Sequence, residues 1–130
     1  MKNKVKWYVG LILVATAITC FANWSQENIK TSTGTDTVYA VANTSTRVWR
    51  VASYHAVYDS SASGTIEFSV INSSGVTNLV KSSTLAGNTQ HSVGARDFEG
   101  QRIHPGESFV VVDGTAVNNT KTLKFEGAPK

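Results

Sequence analysis

The sequence predicts an all-β protein: a single antiparallel β-sandwich or jelly-roll-like domain, preceded by one N-terminal hydrophobic helix. Three observations carry that expectation. After residue 24, apolar residues nowhere recur at helical spacing over the length of a helix. Short segments rich in Val, Tyr, Phe and Thr alternate instead with clusters of Gly, Asn, Asp and Ser, the residue types of strands and turns. Ahead of them, Lys2, Lys4 and Lys6 precede an apolar run from Trp7 to Ala22, and no charge follows until Glu27. The chain therefore divides into a membrane helix over 1–24, a polar stalk over 25–36 and the sandwich over 37–130.

The lysines mark the cytoplasmic side, so the N-terminus stays inside and the remainder is exported. As a helix the run would be about 24 Å long. That is short for a hydrocarbon core of roughly 30 Å and near the upper end for a signal peptide. Cys20-Phe21-Ala22 supplies a small-x-small cleavage site before Asn23. Against cleavage stand aromatics at both edges, Trp7 and Tyr8 at one and Phe21 and Trp24 at the other, as an interfacial belt requires. Retention is favoured and cleavage stays open. A retained anchor would consist of Trp7, Tyr8, Leu11, Ile12, Leu13, Val14, Ile18, Phe21 and Trp24 in a bilayer. The domain would then stand outside a virion membrane or a bacterial inner membrane; cleavage would secrete it.

Twelve basic residues face nine acidic ones, a formal charge of +3. Three of the twelve lie in the leader, which leaves nine against nine in the exported part. A formally neutral domain with scattered Lys and Arg lacks the concentrated positive footprint of nucleic-acid binding. Cys20 is the only cysteine and reads as a small apolar residue of the helix, so the domain has no internal disulfide. Few charges would have to be desolvated if this surface packed against neighbours.

Along the exported chain, 23–36 shows no apolar periodicity and reads as linker. Thr37–Asn43 reads as a short strand. Thr46–Tyr58 is a longer one, with Trp49, Val51 and Val57 on one parity and Ala52, Tyr54 and Tyr58 on the other. Asp59–Gly64 reads as a turn. Thr65–Asn72 alternates cleanly, placing Ile66, Phe68 and Val70 inward. A turn at Ser73-Ser74-Gly75 leads to a strand over Val76–Ser82. Thr84–Gln90 reads as loop and His91–Phe98 as a weak strand. Pro105-Gly106 precedes the buried run Phe109-Val110-Val111-Val112, and Asp113-Gly114 is the strongest hairpin signal. Short strands at Thr115–Asn118 and Thr122–Phe125, split by a turn at Asn119–Lys121, complete the pattern.

Catalytic chemistry is not readable. His55, His91 and His104 lack metal-ligand spacing, and no Gly-x-Ser-x-Gly elbow occurs. No catalytic, cofactor-binding or metal-ligating residue is expected, and no small-molecule substrate is evident. Arg96, Asp97, Phe98, Glu99 and Arg102 form the densest charged segment, a candidate partner-contact loop. Its plainer reading, a solvated loop with locally paired charges, is favoured. Trp49, Tyr54 and Tyr58 are candidates for a glycan platform, but their opposite parities forbid one flat face unless a bulge intervenes. Asn-x-Ser/Thr occurs at Asn23, Asn43, Asn72 and Asn118, a weak glycosylation signal in so Asn- and Ser-rich a chain.

The segments Arg47–Tyr54, Ser63–Phe68, Pro105–Val112 and Thr122–Phe125 together resemble small β-sandwich domains of minor structural proteins of bacterial viruses. The resemblance is a rhythm of strands and turns across about 80 residues. With a retained helix it implies a virus with an internal membrane, where a small protein bridges bilayer and capsid. The expected function is that of a non-enzymatic, membrane-anchored virion component. Its partners would be the lipid bilayer and other structural proteins or copies of itself. The alternative is a secreted or periplasmic module that recognises a glycan or surface.

Overall fold

The computed structural model describes residues 25–32 and 38–127. The expected membrane helix and its anchor residues lie outside them. Among the described residues, no helix is long and apolar enough to cross a membrane. What is described is all-β and antiparallel: β1 (Ser25–Ser32), β2 (Val38–Ala42), β3 (Trp49–Ile71), β4 (Thr77–Gly94), β5 (Arg102–Ile103), β6 (Ser108–Asp113) and β7 (Asn119–Gly127).

One long strand organises the rest. β4 runs along one side of β3. On the other side, β7 pairs with Trp49–Tyr58 and β6 with Ile66–Ile71. β1 adds to β7 and β2 to β6, giving the order β1-β7-β3-β6-β2. β5 pairs with Trp49 and Arg50, opposite the side that β7 takes.

The two halves of β3 face each other. Tyr54 and Phe68 would stand about 46 Å apart on a straight strand. Their rings lie 5.0 Å apart. The bend falls where the β3–β4 register shifts, between Val57 and Ala62 and again between Ala62 and Ser63. Such irregularities turn a sheet without ending its strands. The sheet thereby curls into a sandwich, β1-β7 with one half of β3 against β2-β6 with the other. Phe109 of β6 meets Phe125 of β7 edge-on at 6.1 Å across the interior. Phe68, Phe98 and Trp49 add to the aromatic core, as do the buried Tyr39 and Tyr58.

Ile66, Phe68 and Val70 point inward, as the alternation predicts, and Phe109 to Val111 of the expected buried run are buried, whereas Val112 is half-buried. Trp49 and Val51 share the buried face with Tyr54, Ala56 and Tyr58 despite opposite parity. A bulge reconciles them: Val51 pairs with Phe125 and Ser53 with Lys124, leaving Ala52 as the extra residue.

Four expectations are corrected. Ser25–Ser32, read as stalk, is strand β1, held by its backbone register from Ser25↔Glu126 to Ser32↔Asn119. An edge strand anchored by main-chain pairing needs no apolar alternation. Asp59–Gly64 bends within β3 instead of reversing the chain, with the small Ala62 side chain turned inward. Thr84–Gln90, read as loop, belongs to β4. Asp113-Gly114 does turn, but Thr115–Asn118 is part of that turn and β7 continues unbroken from Asn119.

Candidate functional site

The aromatic strand is interior. Trp49, Tyr54 and Tyr58 are 3%, 1% and 4% exposed, so they offer no platform to a glycan. The loop after β4 divides. Arg96, Asp97 and Glu99 are exposed, as is Arg102 at the start of β5. Phe98 is buried and packs edge-on against Phe68 at 5.2 Å and Phe109 at 5.7 Å. Phe98 is thus a core residue that pins the loop down. Asp97 accepts the Gly94 N–H at 3.1 Å, which closes the turn locally.

The histidines stay apart. His55 pairs with Ser92 and His91 with Ala56 across the β3–β4 hairpin, so their rings sit on opposite faces. His104 lies in the turn after β5. Among the described residues, no group of His, Cys, Asp and Glu could hold a metal ion. Asn43 is buried, and its amide donates to the carbonyl oxygens of Arg47 and Ile103, both at 2.8 Å. That amide is a structural tie between β2, the following loop and β5, closed to glycosylation in the folded chain.

Two features remain. The first is the outer edge of β4. Among the described residues no strand pairs with it over Thr77–Gly94. Free edges are ordinarily guarded by charge or proline. This one carries a single charged residue, Lys81, and no proline. Leu79 is 61% exposed on it, and Val76 is exposed just ahead of it.

The second is a buried polar cluster around Asp113, at the end of β6. Its Oδ1 accepts the Thr115 N–H at 2.9 Å and the Thr115 hydroxyl at 2.7 Å. Its Oδ2 accepts the Tyr58 hydroxyl at 3.0 Å and the Asn119 amide at 3.3 Å. Lys121 Nζ lies 3.6 Å from the same oxygen, with both side chains almost wholly buried. Burial first, then the Asp113 charge, push the Tyr58 phenol far above its ordinary range, so it serves as a fixed donor. Tyr54 is raised likewise, chiefly by burial. His91, facing Tyr54 from β4, is lowered by burial, with a smaller push from Lys81 and an opposing pull from Asp113. The sequence reading missed this cluster, although one signal was present. Lys121 shares its parity with Leu123 and Phe125, both core residues.

No protein-family model matches the chain, and no curated protein sequence matches it. Solved structures do. The chain is similar to part of a putative alpha-L-fucosidase from Bacteroides thetaiotaomicron, with a TM-score of 0.52 and 5% identity over 78% of this chain. It spans only 22% of that enzyme's chain. A structure from the disulfide-linked pili of Bacillus endospore appendages aligns with a TM-score of 0.45 and 11% identity, over 84% of this chain and 88% of that one. The SPBc2 prophage-derived protein YomS aligns with a TM-score of 0.49 and 10% identity, over 81% and 95% respectively. At such identities the likeness concerns the β-sandwich fold and says nothing of activity.

Proposed function

We propose that the chain is a non-enzymatic structural protein, a membrane-anchored minor virion component that links a bilayer to a protein shell. Its sandwich associates with copies of itself or with other structural proteins through the β4 edge. That edge is the observation that carries the reading. Main-chain N–H and C=O groups on an unpaired strand edge recruit another strand, and Lys81 is the single charged residue of β4 that would oppose one. The membrane part of the reading rests on the lysine-flanked, aromatic-bordered apolar run at the N-terminus. The glycan-binding alternative loses its motivation with Trp49, Tyr54 and Tyr58 in the core.

The test is to express the full chain, float the membranes, extract in mild detergent and measure the assembled mass by light scattering. The expected result is a membrane-bound oligomer that a Leu79→Lys, Thr84→Lys double variant reduces to monomer with unchanged circular dichroism. Wild-type protein recovered only as a soluble monomer would overturn the proposal.

A further inference from the structure

The Asp113 cluster has no part in that assembly reading, and its geometry is unusual for a simple structural ion pair. β6 and β7 are not hydrogen-bonded to each other, since each pairs with a different half of β3. Asp113 and Lys121 therefore meet in the interior of the corner, with side chains 2% and 1% exposed. Two donors converge on one carboxylate oxygen, while a phenol, an amide and the lysine converge on the other. An amine beside a carboxyl carbon, a pair of donors on the oxygen that would become an oxyanion, and no bulk water are the requirements for acyl transfer to nitrogen.

We propose that Lys121 and Asp113 close an intramolecular isopeptide bond. The Lys121 ammonium passes a proton to Oδ2, and the freed Nζ lone pair attacks Cγ. The carbon–nitrogen bond forms while negative charge gathers on Oδ1, where the Thr115 N–H and hydroxyl receive it. A second proton moves from nitrogen to Oδ2, which leaves as water. The third ammonium hydrogen stays on the new amide. No oxidant, cofactor or external nucleophile enters the balance. Tyr58 and Asn119 hold Oδ2 in line for departure and are positioning residues. Closure also replaces two buried charges, which are costly to keep out of water, with one neutral amide. The bond would tie the two halves of the curled sheet together at their shared corner.

Peptide mass mapping of the full-length protein decides the matter. Trypsin cuts after Arg102, Lys121 and Lys124 in an unmodified chain. The expected product is a peptide spanning 103–124, uncut at Lys121 and lighter by one water, with fragment ions that join the two side chains. In the Lys121→Arg variant cleavage at 121 returns and the deficit vanishes. Tyr58→Phe should lower the cross-linked fraction severalfold while circular dichroism stays unchanged. Peptide 103–121 released at full mass means an ion pair only and overturns the proposal. The same peptide lighter by water overturns it too, by showing a succinimide at Asp113-Gly114. A deficit of ammonia instead would make Asn119 the acyl donor and overturn the assignment to Asp113.

Discussion

Gly64 and Gly114 meet where the bend of β3 passes the turn between β6 and β7, and Gly64→Ala tests whether that crossing shapes the sandwich. A Cβ on Gly64 would lie 2.7 Å from the Gly114 carbonyl oxygen, 3.0 Å from its carbon and 3.1 Å from Thr115 Cα. All three are backbone atoms, which cannot swing aside as a side chain would. Gly64 also holds φ at +149°, where L-residues are strained. The conformation alone costs about 1–3 kcal/mol. Forced displacement of packed backbone adds a further cost of about 1–3 kcal/mol. Gly75 is the control, because φ is +80° there but nothing lies within 4 Å of an added Cβ. Gly75→Ala should therefore cost only the left-handed penalty of about 1–2 kcal/mol. Against a total stability of about 5–15 kcal/mol, Gly64→Ala should visibly lower the urea midpoint, and by more than Gly75→Ala. Far-UV circular dichroism provides the readout, with unchanged m-values as the condition for comparison. Equal midpoints for the two variants would refute the close crossing.

Two further outcomes follow from the described packing. Phe98→Ala should destabilise the fold by about 3–5 kcal/mol by emptying the contact with Phe68 and Phe109, whereas Arg96→Ala should stay within about 0.5 kcal/mol. Matching urea midpoints for the two would show that the loop does not plug the core. The third concerns pH. Because His91 titrates below its ordinary value of 6.5 when folded, the unfolded chain takes up that proton first. Its contribution is intact above about 6.5 and is lost as pH falls from there toward the folded pKa. His91→Gln should flatten that part of the stability profile in denaturant titrations between about pH 8 and 5, and an unchanged profile would remove His91 as the source.

Much of the fold was legible because its signals are local. Ile66, Phe68 and Val70 alternate against a fixed set of partners, so period 2 alone places them inward. The bend of β3 was not legible. Whether Asp59–Gly64 reverses the chain or only bends it depends on β4, whose Asn88 and Ala86 pair with Ala62 and Ser63 across the corner. The residues of the segment are turn formers in either case. Parity failed at Trp49 and Tyr54 for a related reason. A single unpaired residue, Ala52, shifts the phase of the strand, and no propensity marks where a bulge will fall. β1 escaped notice because main-chain pairing with β7 leaves no pattern in side chains.

The buried cluster was harder still, and its difficulty bears on function. Tyr58 and Asp113 lie 55 residues apart and meet only once β3 has bent. Within a strand, a lysine ordinarily reads as solvent-facing, and Asp-Gly reads as a turn; both rules describe exposed residues. Lys121 and Asp113 satisfy the local rules and then are carried inward together by the corner. Removing either partner alone would leave a charge buried, whereas apolar replacement of both would often be neutral or stabilising. A pair kept in so dry a place therefore asks for a reason other than stability. The β4 edge poses the converse question, an exposed strand with Lys81 as its single charged residue to keep it solitary. The two proposals are physically independent, because the edge acts through exposed main-chain groups of β4 and the corner through side chains buried between β6 and β7, so loss of one leaves the other standing.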